Sequence, residues 1–565
     1  MRPVDWAVLV AYFVYVIWEG FRHGRTNVNL DDYFRGRRSL RWWAVGLSVM
    51  ATQASAITYI GTTGQSYGSG MSFIQFYLSQ PLVMVVLCAT FVPFFYRANV
   101  FTAYEYLERR FDPKTRTLTS FLFLVSRGLA VSIVLYAPSV VLGVIFGWNE
   151  VTTVLVMGVT TVLYTVVGGN KAVIMIDAKQ MLLMFAGIFV ALGLVLSRLP
   201  QGYSTFDAVH LAGAAGRWNN IRLSWDLTDP YTLLSGMTGG FFLALSYFGC
   251  DQSQVQRYLT GKSLRESRMS LIFNAFLKVP MQFLILVIGV LLFVFYHFER
   301  PPLTFNRADQ AMLASKAGGE LRVLEKNYEG AFEERRAAAL ALAQAAAGGE
   351  AASSAAAERR YGEANQAFEQ IREQGRLLVK RVAGREASAE VNYIFPSFLV
   401  DFAPAGVLGL MLAVIFAAAM STFSSEINSL ASATIIDFYK RWFRAEAPDA
   451  HYLAVSRGAT LFWGGVATAA ACFAGRLGSL IEAVNRVGSY FYGPILGVFL
   501  LAFLVRRAQG AVAFWALIAG EVIVLWVAFG TELSWLYYNV VGAVAVLGVG
   551  ALLSLGPVTA RAGRG

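Results

Sequence analysis

Apolar residues recur along most of this chain in runs of about 20, each long enough for a helix to cross roughly 30 Å of hydrocarbon. The runs predict spans at 5–20, 42–66, 71–96, 117–146, 150–168, 172–197, 232–250, 270–298, 400–425, 454–475, 480–505, 510–530 and 534–555, thirteen in all. Backbone polar groups in lipid must bond within their own segment, so such runs read as helices. With 56% hydrophobic residues, the fold class is an all-α polytopic membrane protein and a soluble enzyme is excluded.

Net charge is +11, which by itself could indicate a nucleic-acid partner, but the cations are confined to alternate loops. They stand at Arg22 to Arg41, Arg97 to Arg116, Arg257 to Arg268, Lys440 to Arg444, and Arg506 and Arg507. The positive-inside rule makes these loops cytoplasmic, with the N-terminus outside and the C-terminus inside, and predicts a bilayer rather than nucleic acid as partner. The first run lacks a basic leader and a small-residue cleavage site, so it is expected to be a retained helix. Cys88, Cys250 and Cys472 show no paired spacing, and His23, His210, His297 and His451 sit at loop or span ends, where solvated roles are expected.

The pattern changes between 303 and 392, a stretch rich in Ala, Glu and Arg that topology places outside the cell. Ala317, Leu321, Leu324, Tyr328 and Ala331 follow 3–4 spacing, as do Tyr361, Ala364, Phe368, Ile371, Gly375, Leu378 and Val382, with Gly348-Gly349 between them. The pattern predicts an antiparallel helical hairpin; a partly disordered linker of the same composition is the alternative. Its partner is not legible. The expected organisation is therefore 1–302 (eight spans), 303–392 (the insert), 393–555 (five spans) and a tail at 556–565.

Four places carry polar groups at membrane depth. In VLGLMLAVIFAAAMSTFSSEINSLASA, Ala418, Ser421, Thr422 and Ser425 share one helix face, overlapped by Ser421, Ser424, Ser425 and Asn428. Such hydroxyls suit a hard cation and not a transition metal, although small residues also serve plain helix packing. Asp177 sits about one turn into a span with Gln180 at i+3, either as an interfacial charge or as an attractor for a cation. The second span, WWAVGLSVMATQASAITYIGTTGQSYGSG, and the seventh, YTLLSGMTGGFFLALSYFGCDQSQVQRY, mix glycine with polar residues, as spans with unwound backbone do. Interrupted spans five apart point to two inverted five-helix halves.

The ordered segments GRRSLRWWAVGLS, TAYEYLERRF, GGNKAVIMIDAKQ, DQSQVQRYLTGKS and MSTFSSEINSLASATIIDFY resemble the sodium:solute symporter family over nearly the whole chain except the insert. YAPS at Tyr136 to Ser139, GGNKAV with Asp177, and Ser421-Thr422 are most similar to its iodide, monocarboxylate and multivitamin branch. The resemblance implies a LeuT-like core of two inverted five-helix repeats, one helix before it and two after. It also implies one sodium on the carbonyls of Ala51, Ala54 and Ala418 and the hydroxyls of Ser421 and Thr422. A second sodium, or its exit path, would lie on Asp177, Ser421, Ser424 and Ser425, with Gln180 beside it.

The solute positions that the resemblance implies are Gln53, Thr58, Tyr77, Phe248, Lys278 and Asn485, with Tyr247 as an inner gate. Thr58 and Tyr77 depart from the histidine and glutamate of the glucose branch, which favours a small anion or carboxylate-bearing solute over a sugar. Lys278 and Arg127 are cations within spans and favour an anion physically, unless they are structural ion pairs or snorkel. The function this predicts is sodium-coupled symport by alternating access, with no cofactor beyond Na+ and no catalytic residue. A transport-inactive receptor, a channel and a symporter for a neutral sugar or amino acid are the alternatives.

Overall fold

The structure, a computed structural model, describes residues 1–24, 28–146, 150–200, 203–219, 221–348, 351–384, 390–473 and 480–555. Arg25, Gly349 and the expected tail at 556–565 lie outside the described residues. The helices that position the site are α1 (Pro3–Gly24), α2 (Trp42–Gln53), α3 (Ala56–Ser69), α4 (Pro113–Phe146), α5 (Glu150–Ser197), α6 (Leu233–Cys250), α7 (Gln252–Tyr258), α8 (Leu264–Phe298), α9 (Gly318–Gly348), α10 (Ala351–Ala383), α11 (Val407–Ala433) and α12 (Leu480–Leu504).

Among the described residues, ten helical stretches are long and apolar enough to cross a membrane. The difference from thirteen expected spans has three local causes. The span expected at 42–66 is broken, and its second half joins the next into one stretch, Ala56–Ala98. The spans expected at 150–168 and 172–197 form one helical run, interrupted at Gly169, whose φ of 63° and ψ of −174° favour glycine. The helix Asp449–Ala471, with Asp449, His451 and Arg457 in its first nine residues, is not among the ten. The span expected from 400 begins instead at Val407, after a stop at Phe402, and its helix continues as a wider π-helical turn over Thr434–Phe443.

Both predicted interruptions occur, but not at the glycines. Between α2 and α3 the backbone leaves helical geometry at Ala54 (φ −88°, ψ 73°) and Ser55 (φ −76°, ψ 172°). Between α6 and α7 it does so at Asp251 (φ −80°, ψ 123°), whose carboxylate caps α7 by accepting from Ser253 N at 2.8 Å. The glycines serve close approach: a Cβ at Gly64 would stand 1.7 Å from Val391 O, and one at Gly289 2.2 Å from Thr63 O.

The five basic loops meet at one end of the molecule. Arg35 donates to Asn99 Oδ1 (2.9 Å), Tyr96 to Lys262 O (3.2 Å), Arg116 to Asp437 Oδ1 (2.8 Å) and Arg110 to Ala502 O (3.2 Å), which ties the loops together. At the other end, α9 and α10 pair in antiparallel register, with Tyr328 stacked on Phe368 and Arg381 paired with Glu320. Leu321, Leu324, Tyr328, Ala331, Phe368, Ile371, Leu378 and Val382 of the predicted stripes pack together.

This hairpin is docked on the bundle. Arg335 donates to Tyr296 O at 2.6 Å and lies 3.5 Å from the Phe368 ring centroid. Burial draws its pKa down, whereas that of equally buried Arg372 is pushed up, because against the same desolvation Glu390 at 2.8 Å acts together with Tyr67, Glu369 at 3.6 Å and Tyr328. His297, expected to be solvated, is instead buried at this junction, with Nε2 2.8 Å from Tyr361 Oη and Nδ1 2.8 Å from Phe293 O. Its place at the end of α8 is a span end, but the hairpin covers it.

Candidate functional site

The break at Ala54 and Ser55 removes the N–H groups that would have bonded the last carbonyls of α2. Those carbonyls face α11. The Ser421 hydroxyl lies 3.2 Å from Ala51 O and 3.1 Å from Ala418 O, and the Thr422 hydroxyl lies 3.1 Å from Thr52 O and 3.2 Å from Ala418 O. Four of the five predicted ligand residues, Ala51, Ala418, Ser421 and Thr422, are thus gathered at one point, and Ala54 is the residue at which α2 unwinds. Alanines at 417 to 419 let the two backbones approach, since each is fully buried. The donor set is hard, neutral and oxygen-only, as a bare monovalent cation requires.

One turn along, Asp177 of α5 enters the same region, fully buried. Its Oδ2 accepts from Ser48 (2.7 Å) and Ser425 (3.2 Å), while Oδ1 has no hydrogen-bond partner. Arg257 of α7 places Nη2 3.6 Å from Oδ2 and donates from Nε to Thr52 Oγ1 at 2.7 Å. Ser424 donates to Ser421 O at 3.1 Å. Gln180 does not join this group: it donates to Tyr12 of α1 at 2.7 Å, because three residues on from Asp177 its longer side chain reaches the neighbouring helix.

Beside the break lies a cavity of about 90 Å³, lined by residues that include Gln53, Thr58, Tyr77, Arg127, Tyr247 and Asn485. These are six of the residues predicted for solute and gate. Arg127 is both a cavity wall and an ion pair: Nε donates to Asp251 Oδ2 at 2.5 Å, Nη1 lies 3.2 Å from Glu426 Oε1, and Nη2 donates to the Tyr492 hydroxyl. Its guanidinium also lies 4.9 Å from the Tyr247 ring centroid and 5.3 Å from that of Tyr492. Gln254 holds the Tyr247 hydroxyl at 2.7 Å.

Two predicted residues stand away from this cavity. Phe248 is fully buried and packs edge-on against Tyr247, since neighbours on a helix point about 100° apart and only one can face inward. Lys278 is fully buried, 5.3 Å from the Tyr77 ring centroid, with no hydrogen-bond partner, between Asn274 and Gln282 of α8. Sequence reasoning missed Arg257, Asp251, Glu426 and Tyr492 as site residues. The first three are charges at or inside apolar runs, the same signal that singled out Asp177 and Arg127.

The sequence profile of the sodium:solute symporter family matches residues 33–305 and 374–520 and omits most of the hairpin. A sodium/sialic acid symporter of Proteus mirabilis is 26% identical over 97% of this chain and 94% of its own length. The human sodium/iodide cotransporter is 28% identical over 92% of this chain and 68% of its own. The human sodium-coupled monocarboxylate transporter 1 is 27% identical over 89% and 69%. A solved structure of a substrate-bound, outward-open Na+-coupled sialic acid symporter matches with a TM-score of 0.77 over 98% of both chains at 24% identity, a likeness of fold.

Proposed function

Since the chain belongs to the sodium:solute symporter family, a family of multi-pass membrane transporters, we propose that it couples inward sodium flow to uptake of a small carboxylate-bearing solute by alternating access. Two sodium ions per cycle is the stoichiometry proposed. One would bind at Ala51, Ala54, Ala418, Ser421 and Thr422, and the other would bind or leave through Asp177, Ser424 and Ser425. The observation that carries this reading is the convergence of α2 carbonyls and α11 hydroxyls at an unwound backbone, next to a cavity that shares Thr52 and Thr422 with it. Sharing those residues supplies a physical basis for coupling, because an ion that orders the break also shapes the solute cavity.

At roughly 100 mV, inside negative, each entering sodium contributes about 2.3 kcal/mol, and a tenfold gradient adds about 1.4 kcal/mol. Two ions would supply on the order of 7 kcal/mol, reduced for an anionic solute that works against the potential. The proposed topology has thirteen crossings, the N-terminus and hairpin outside and the basic loops inside, and their meeting at one end of the molecule supports it. Tyr247 would gate the inner side, as a wall of the cavity held through Gln254.

The test is uptake into proteoliposomes under an inward sodium gradient, with iodide, short monocarboxylates, pantothenate, sialic acid, proline and hexoses as candidate solutes. Sodium-driven accumulation of one solute, shifted to higher sodium concentration in Ser421→Ala and reduced in Asp177→Ala, is the expected result. Solute binding without accumulation would replace the symporter reading with that of a receptor.

A further inference from the structure

Glu426 stands one helical turn beyond Thr422 on α11, in the fourth position after the proposed sodium ligand and on the same face. It is 1% exposed, lines the solute cavity, and neither carboxylate oxygen accepts a hydrogen bond. A neighbouring hydroxyl that could serve it, Ser253, donates to Asp251 Oδ1 at 2.6 Å instead. Its cationic neighbour at contact distance is Arg127 Nη1 at 3.2 Å, and Arg127 is itself held by Asp251 and Tyr492. A buried carboxylate left without hydrogen bonds is costly, and one that faces a cavity is positioned to receive donors from whatever enters.

The electrostatics narrow what that is. At the cavity, the single guanidinium of Arg127 faces two carboxylates, Asp251 and Glu426, so its charge is already more than matched. An anion entering alone would meet Arg127 already engaged and Glu426 beside it. A solute carrying both a carboxylate and an ammonium meets a complement at each: its carboxylate takes the Nη1 side of Arg127, and its ammonium donates to the two unsatisfied oxygens of Glu426. The two protein groups lie in contact across the cavity wall, so the two charges of the solute would be separated by only a few atoms.

We infer that Glu426 is a solute-binding residue that pairs with Arg127 to select a small zwitterion of the amino-acid type, with N–H groups to donate, over simple anions. This rests on the symporter reading for the cavity's role, but it is tested by binding, which does not depend on transport. Part of the cavity wall, Phe76, Val131, Val134, Leu243, Ile481 and Val484, is apolar and suits a short aliphatic body, while Gln53, Ser55, Thr58 and Asn485 keep the rest polar.

The experiment is thermal-shift and equilibrium binding on the full-length protein in nanodiscs with sodium present, using matched probes: L-alanine, L-proline and L-leucine, the carboxylates lacking the amine, and the amines lacking the carboxylate. The zwitterion of a matched set should bind at least about ten-fold more tightly than either partner, the discrimination expected when a buried charge is left unpaired. Glu426→Gln should lose about ten-fold or more for the zwitterion while the simple carboxylate holds or gains. Glu426→Asp, which keeps the charge, should retain the preference, and this separates a lost contact from a misfolded protein. Amine-free carboxylates bound as well as any zwitterion, or binding unchanged in Glu426→Gln, would overturn the assignment, as would a panel in which no zwitterion binds. Charge-selective binding without sodium-driven uptake would overturn the symporter reading and leave this one standing.

Discussion

At the residue scale, Ser421 and Asp177 do different work although both carry oxygen into the same buried region. Ser421 bridges two helices, through Ala51 O on one and Ala418 O on its own, so its hydroxyl reports whether α2 and α11 are in register. Loss of one oxygen donor to a charged partner costs about 1.5–3 kcal/mol. Ser421→Ala is therefore expected to weaken sodium activation about ten- to hundred-fold, read as the sodium concentration giving half-maximal uptake, with little change in folding. Arg257 tests the neighbouring charge. Its planar fork serves Thr52, Asn170 at 3.1 Å and Asp177 together, a geometry lysine cannot reproduce. Arg257→Lys should keep the protein folded yet lower sodium-driven uptake, and full activity in that variant would mean that charge alone is required.

At the scale of elements, the breaks in α2/α3 and α6/α7 explain why the site exists. Each exposes backbone or carboxylate groups at membrane depth only because the surrounding helices supply partners. The hairpin is tied to the same machinery: the turn at Glu390–Asn392 packs against Gly64 of α3, and Arg372 and Arg376 hold Glu390 at 2.8 and 3.3 Å. Removing one partner of a buried pair costs about 3–5 kcal/mol, so Arg372→Ala should release the 390–392 turn, seen as faster hydrogen exchange in 390–400 and lower sodium-driven uptake. Gly64→Val should act from the other side, since its Cβ would meet backbone at 1.7 Å, with a lowered melting temperature in detergent as the readout. Unchanged exchange in Arg372→Ala would show that the hairpin is held by its apolar contacts alone.

For the molecule as a whole, the meeting of the basic loops at one end and the hairpin at the other makes orientation a single measurable quantity. In a background with Cys472 replaced by serine, Ser353→Cys on the exposed face of α10 should react with an impermeant maleimide from outside intact cells, and Lys262→Cys only after permeabilisation. The reverse pattern would invert the proposed topology.

By itself the sequence determined the features that local periodicity and the cost of polar groups in lipid impose. Apolar runs predicted where helices lie, the 3–4 stripes from Ala317 to Val382 predicted the paired hairpin, and i, i+3, i+4 spacing put Ser421 and Thr422 on one face. Asp177 and Arg127 were legible because a charge inside an apolar run must have a partner. The identity of the partners was not, since Asp251, Arg257 and Glu426 lie 80 or more positions away in the chain from the residues they pair with and meet them only when α6, α7 and α11 pack. For the same reason the exact break fell at Ala54 and Ser55 rather than at Gly61 to Gly70: glycine permits an unwound backbone, but the facing helices decide whether a glycine serves unwinding or close contact. Burial of His297 and the withdrawal of Lys278 and Phe248 from the cavity were likewise decided by neighbours remote in sequence, which no local pattern records.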